Sequence, residues 1–271
     1  MEPLSAWFKN LFFNSGGDKR TVITVIGSGG KTSLIWHLAS SLAEPDRRIL
    51  VTTTTKMLVP LPGAKLYDFY CGGGNYNEAC NSGALQNPAP GITLAGNYNK
   101  ASGKLEPLLP DDLEKIYSAY DLVLIEGDGA KGLPLKAWSN YEPVVPAFSD
   151  FTIGILPLIN MGEPVSEKII HRLPLFLDLS GAAEGEPIKK EHLVKIITGG
   201  TQGGRTLPGL FSRAKGKKIL FFNQAEDDAA IKNAIKIAES LPPDFRKDLY
   251  AISAGSIKLN NLINLFSEET R

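Results

Sequence analysis

Apolar positions along this chain fall into two alternating rhythms. Short runs rich in aliphatic and β-branched residues recur at 21–26, 48–52, 122–125, 151–157, 217–222 and 248–253. Each has the length of a strand, and the least interrupted of them predict strands covered on both faces. Between the runs, apolar residues return every three or four positions, as Leu34, Ile35, Leu38 and Leu42 do across 31–43. The same spacing predicts helices over 110–120, 188–198, 228–241 and 256–266, and a short amphipathic helix over 1–13. A further helix starts at His171-Arg172 and ends near Leu179. Strand, helix and strand at crossover spacing imply parallel pairing. The expectation is an α/β fold: a mostly parallel sheet with helices on both faces, in a single domain spanning 1–271.

Residues 58–107 break the rhythm. Pro60, Pro62, Gly72 to Gly74, Asn75, Asn77, Asn81, Pro88 and Pro90 punctuate them, with short strands expected near 64–69 and 92–96. So long a structureless stretch would be unusual in a compact domain. It reads as an irregular, β-rich insertion.

Composition narrows the function classes. Apolar residues are 43% and charged residues 21%, which suits a packed core and not a disordered chain. Lys+Arg and Asp+Glu are both 29, so no broad basic field points to nucleic acid or an anionic membrane. No apolar run of about 18 residues is present to span a bilayer, and the N-terminal segment lacks the basic start and cleavage site of a signal peptide. Cys71 and Cys80 match no common zinc spacing. They read as buried or idle thiols, and so few cysteines suit a reducing cytoplasm.

The candidate chemistry begins where the first buried run ends. Thr21–Ile26 leads into Gly27, Ser28, Gly29, Gly30, Lys31, Thr32 and Ser33, and helical spacing starts at Leu34. Strand, glycine corner and helix start form the order of a phosphate loop: glycines let the backbone fold round an anion, and the helix N-terminus attracts it. Lys31 would reach the outer phosphates and the Thr32 hydroxyl would ligate Mg²⁺. The full pattern has one more glycine five residues before Gly30, where this chain has Val25. The shorter loop locally resembles that of the Mur ligases.

Other strand ends add to it. The run 48–52 continues into Thr52–Met57, and Thr55 and Lys56 lie past its end, where open parallel sheets form their ligand crevice. The run 122–125 continues into Glu126, Gly127, Asp128 and on to Lys131 and Lys136. Phosphate-loop enzymes place there the carboxylate that holds Mg²⁺ or orients water. Two residues apart on an extended chain, Glu126 and Asp128 point the same way and can share one cation. Lys131 and Lys136 are candidates for phosphates or a second substrate. After 217–222 comes Asn223–Glu226, a degenerate form of the Asn-Lys-x-Asp run of GTP-binding proteins, with Asn223 a candidate base contact. The glycine-rich stretch 199–206 follows a helix, so the phosphate-loop mechanism does not transfer to it. It is a lid or a connector.

With these motifs in order, the chain resembles the YqeC family, described as accessory to selenium-dependent molybdenum hydroxylases. The resemblance rests on Gly27–Ser33, Thr52–Met57, Glu126–Lys136, Glu142–Pro146, His171-Arg172 and Asn223–Glu226, over about residues 20–255. It implies a P-loop NTPase-like three-layer sandwich and a role in maturing a molybdenum–selenium client enzyme or its cofactor, and it draws His171-Arg172 towards function. The family usually has alanine at position 127, and Gly127 is expected to loosen that turn.

Together these features lead to the expectation of a Mg²⁺-dependent protein that binds and hydrolyses ATP or GTP. Gly27 to Ser33 hold the phosphates. Thr32 holds the metal with Glu126 or Asp128, and the other acid positions the nucleophile. Two other classes fit the same motifs: a nucleotide-dependent ligase or kinase acting on a small molecule, and a non-catalytic carrier switched by nucleotide.

Overall fold

The computed structural model describes residues 1–13, 20–60, 65–71 and 85–267. The main sheet has ten strands. They are β1 (Glu2–Pro3), β2 (Thr21–Gly27), β3 (Arg48–Thr53), β4 (Phe69–Cys71), β5 (Gly91–Ala95), β6 (Leu122–Glu126), β7 (Phe151–Pro157), β8 (Lys217–Asn223), β9 (Leu249–Ser256) and β10 (Asn261–Ser267). Across the sheet they run β1-β10-β9-β8-β7-β2-β6-β3-β5-β4. Every pair from β9 to β4 is parallel, and β10 pairs antiparallel with β9 and β1.

Helices cover both faces: α1 (Leu4–Phe13), α2 (Lys31–Ser41), α3 (Pro110–Ile116), α4 (Leu173–Ser180), α5 (Lys190–Thr198), α6 (Asp228–Ser240) and α7 (Pro243–Lys247). Successive strand side chains point to opposite faces, which sorts the apolar residues into layers. Ile23 and Val25 of β2 pack with Leu4 and Phe8 of α1 and Leu34 and Leu38 of α2. Ile26 joins Phe176, Ile196 and Ile237 from α4, α5 and α6 on the other face. Val22 lies on that second face too, with Leu113 and Ile116 of α3. All seven residues of β2 are buried. A side chain such as Ile23 contributes about 1.5–3 kcal/mol by leaving water.

The sheet is α/β, mostly parallel and three-layered, as the strand and helix rhythm led one to expect. The chain end differs. Residues 256–266 read as a helix, yet Asn261–Ser267 is a strand folded back on β9. Asn260 turns the chain with φ 48°, and the Asn261 side chain accepts from the Ser256 N–H at 3.2 Å. An asparagine pair is a turn signal, and a short apolar run beyond it fits either period.

The segment 58–107 is partly built into the sheet, because β4 and β5 extend its edge. The remainder includes Asn97–Asn99 and Lys104–Glu106, which form a small antiparallel sheet with Met57–Leu58. The strand expected near 64–69 is displaced to Phe69–Cys71, with residues 65–68 irregular, and the one near 92–96 is β5. Cys71 ends β4; Cys80 and Gly72 to Gly74 lie outside the described residues. Among the described residues no helix is long and apolar enough to cross a membrane.

Parallel pairing sets the chemistry on one edge. Register places Gly27 opposite Ile155, Glu126 opposite Val25 and Thr53, and Asn223 opposite Pro157. The carboxyl ends of five strands therefore open on one rim.

Candidate functional site

The corner after β2 requires its glycines. Gly27 has φ 98° and Gly30 has φ 137°, values that L side chains rarely adopt. A Cβ on Gly27 would overlap the Ile155 carbonyl oxygen, and one on Gly30 would overlap the Asn223 amide nitrogen. The helix then begins at Lys31 with no side-chain cap. Its first N–H groups carry the positive end of the helix dipole at the rim.

Lys31 is nearly buried. Its Nζ donates to the Gly27 carbonyl at 2.7 Å and lies 3.4 Å from Asp128 Oδ1. The Thr32 hydroxyl donates to Glu126 Oε2 at 2.6 Å. Ser28 Oγ and Thr55 Oγ1 are buried hydroxyls with no hydrogen-bond partner among the described residues. Ser33 follows in the first turn of the helix.

The two acids at the end of β6 both face the glycine corner, but they differ in surroundings. Asp128 is fully buried and saturated. Its oxygens accept from the Gly27 N–H at 3.0 and 3.1 Å, from Trp138 Nε1 at 2.7 Å and from Lys136 Nζ at 3.0 Å. Burial opposes its charge, but Lys31 and Lys136 outweigh that penalty and hold the carboxyl below the ordinary aspartate value. Glu126 is also buried, and it lines the open cleft, whereas Asp128 does not. Desolvation raises the Glu126 carboxyl above its ordinary value, and Asp128 adds to the rise against the pull of Lys31 and Thr32. Sequence spacing left the two acids equivalent; Asp128's partners and Glu126's place on the cleft separate them.

Lys136 was a candidate contact for phosphates or a second substrate. It is instead fully buried beneath the corner, 3.0 Å from Asp128, 3.5 Å from Glu142 and 2.7 Å from the Gly129 carbonyl. Arg172 closes the chain of charges on Glu142. Glu142 and Trp138 are the members that spacing did not reveal. Nothing in a proline-bounded segment announces that its acid will meet a lysine six residues back. At Gly127 an added Cβ would stand 2.6 Å from Thr24 Cγ2 and 2.9 Å from Ile26 Cγ2.

Asn223 is committed at both ends of its amide. Its Nδ2 donates to the Gly29 carbonyl at 2.7 Å and its Oδ1 accepts from the Ile257 N–H at 3.2 Å. It braces the glycine corner against the turn after β9. Glu226 accepts from Ser256 Oγ at 2.9 Å. The threonines at the end of β3 secure the end of β6, with Thr53 Oγ1 donating to the Glu126 carbonyl at 3.0 Å.

Two cavities meet at Gly29, Gly30, Ser33 and Gly132. One, of about 640 Å³, runs past Lys31, Thr32 and Glu126 to Thr55, Lys56, Lys131, His171 and Arg172. The other, of about 510 Å³, runs past Asn223, Gln224, Glu226 and Lys258. His171 and Arg172 precede α4: His171 pairs in a short strand with Lys136, and Arg172 is the left-handed residue before the helix. Burial lowers His171 to about 4, with Arg172, Lys136 and Lys131 adding to the effect, so the ring is neutral at pH 7. The hairpin Gly200–Gln202 and Arg205–Leu207 lines neither cavity and connects α5 to Leu210 and β8.

The fold and rim define a class: an α/β protein with a glycine corner at a helix start, a buried lysine and an acidic strand end facing one cleft. Its relatives narrow that class. A family model described as YqeC protein matches residues 23–174. The curated "Uncharacterized protein YqeC" of Escherichia coli (strain K12) is 31% identical over 254 residues, covering 92% of each chain. The chain belongs to the YqeC family.

Proposed function

We propose that this protein binds and hydrolyses a nucleoside triphosphate, ATP or GTP, with Mg²⁺. The observation that carries the reading is the convergence of the glycine corner, Lys31 Nζ and the Thr32–Glu126 pair on one cleft. Backbone N–H groups at the corner and helix start receive the phosphates. Lys31 leaves the Gly27 carbonyl for the outer phosphates, and Asp128, held by Trp138 and Lys136, keeps the corner in place.

Thr32 Oγ1 and Glu126 Oε2 are two hard oxygen donors side by side. Mg²⁺ takes one or two protein oxygens and completes its shell with waters and phosphates, so these residues fit it. Among the described residues no cluster of three or more His, Cys, Asp or Glu forms an all-protein metal cage. Bound there, the ion would offset charge on the transferring phosphoryl group. The second cavity has the place and polarity for the nucleoside, with Glu226, Gln224 and Lys258 as its polar edge.

Phosphate release in the presence of Mg·ATP or Mg·GTP tests the reading. Lys31→Ala and Glu126→Gln are each expected to lower turnover by about 100-fold or more. Unchanged turnover in a folded Lys31→Ala protein would reject it. The resemblance to the family extends the proposal: the cycle serves maturation of a selenium-dependent molybdenum hydroxylase or its cofactor, in the cytoplasm. A client hydroxylase that reaches full activity in cells lacking this protein would contradict that extension.

A further inference from the structure

We infer that the cleft beyond the glycine corner holds a second substrate, a small molecule bearing a phosphate or carboxylate group. The inference rests on the reading of the corner as a triphosphate site and names what lies next to it. The cleft of about 640 Å³ extends well past Lys31 and Thr32. Lys56 and Lys104 stand along it with Lys131, His171 and Arg172. The carboxylates lining it are Glu126 and Glu142, the first bonded to Thr32 and the second ion-paired to Arg172 and Lys136. Lys56 is paired with Glu106 at 2.8 Å. Lys104 and Lys131 have no ion-pair partner among the described residues.

Two of the cations also sit on unusual backbone. Lys131 has φ 51° and Arg172 φ 63°. Left-handed geometry is costly for a non-glycine residue, and such strain gathers at ligand clamps. Gly132, next to Lys131, has φ 77°, so the turn that presents Lys131 to the cleft holds two left-handed residues in a row. A triphosphate held at Gly29 to Ser33, with its nucleoside in the second cavity, leaves Lys104 and Lys131 unneutralised. A phosphate or carboxylate group on a small ligand completes them, and Leu58, Ala130 and Leu133 line the cleft for its apolar part. The neutral His171 ring offers a hydrogen bond beside that anion.

The test uses the full chain and isothermal titration. The corner is first filled with a Mg²⁺-bound, non-hydrolysable triphosphate. Inorganic phosphate and malonate are then titrated as phosphate and carboxylate probes. Saturable binding at about 1–10 mM by at least one probe is expected. Lys131→Asn with Lys104→Gln should weaken that probe about tenfold or more, and should weaken the triphosphate less. Lys31→Ala should show the reverse pattern. If neither probe binds to the filled protein, or the double variant binds it unchanged, the inference is wrong. If the triphosphate itself fails to bind, the proposed function falls. The same probe titrations on the empty protein then judge the subsite separately: binding that depends on Lys131 and Lys104 retains it, and its absence removes it.

Discussion

Among the described residues, the glycine-rich turns at Gly27–Gly30 and at Gly199–Gly204 make a direct comparison. By composition they look alike. The first follows the buried strand β2, opens a helix and rests on buried charge: Asp128, Lys136 and Glu142 lie beneath it. Its glycines are packed so closely that a methyl group has no room at Gly27 or Gly30. The second follows α5 and carries a two-stranded hairpin whose tip glycines, Gly203 and Gly204, have nothing within 4 Å of an added Cβ. The difference shows that glycine content alone does not set how tightly a turn is packed. A strand end aimed at a helix start, stiffened from below by paired charges, supplies what the glycines alone do not.

The strongest way to break this contrast is to remove the charge under the first turn. Asp128→Ala leaves Lys136 and Lys31 without their shared partner in the interior. Breaking a buried pair in this way costs about 3–5 kcal/mol, to be read from urea unfolding at pH 7. The sign with pH follows from the depressed Asp128 carboxyl. Its stabilisation is present above the ordinary aspartate value and is lost as pH falls through the lower folded value. An Asp128→Asn protein should lack that acid loss.

Next in size is the backbone itself. Gly27→Ala combines left-handed strain with overlap on the Ile155 carbonyl and should cost about 2–4 kcal/mol. Gly203→Ala carries the strain alone and should cost about 1 kcal/mol. Equal unfolding midpoints for the two variants would erase the distinction between the turns. Asn223→Ala removes the brace from Gly29 to Ile257. A loss of about 1–2 kcal/mol in the same denaturation series is expected. The effect of His171 is confined to acid, because burial lowers its ring from 6.5 to about 4. The unfolded chain takes up its proton first, so stability falls as pH drops from 6.5 through about 4. His171→Gln should flatten that part of the stability profile; an unaltered slope would show that the ring is not shielded.

Legibility in the sequence followed the range of the interaction. Strands buried on both faces and helices with a single apolar stripe announce themselves through neighbours a few residues apart, so β2, β6, β7 and α6 were readable. The glycine corner and the acids after β6 were readable for the same reason. What escaped depends on distant partners. The saturation of Asp128, which sets it apart from Glu126, depends on Trp138 and Lys136. The burial of Lys136 depends on Glu142 as well. The role of Asn223 depends on Gly29, far away in the chain. The final strand escapes because Leu262, Ile263, Leu265 and Phe266 satisfy a helix as easily as a strand until β9 is there to pair with.

The claim most open to test is that Gly27–Thr32 holds the phosphates of a nucleotide. Isothermal titration of a slowly hydrolysed triphosphate with Mg²⁺ into the wild-type protein, Lys31→Ala and Gly203→Ala addresses it directly. One equivalent should bind to the wild-type protein, with affinity unchanged in Gly203→Ala and lowered about 10- to 100-fold in Lys31→Ala. Equal affinity in all three folded proteins, or no binding to the wild-type protein, would contradict it.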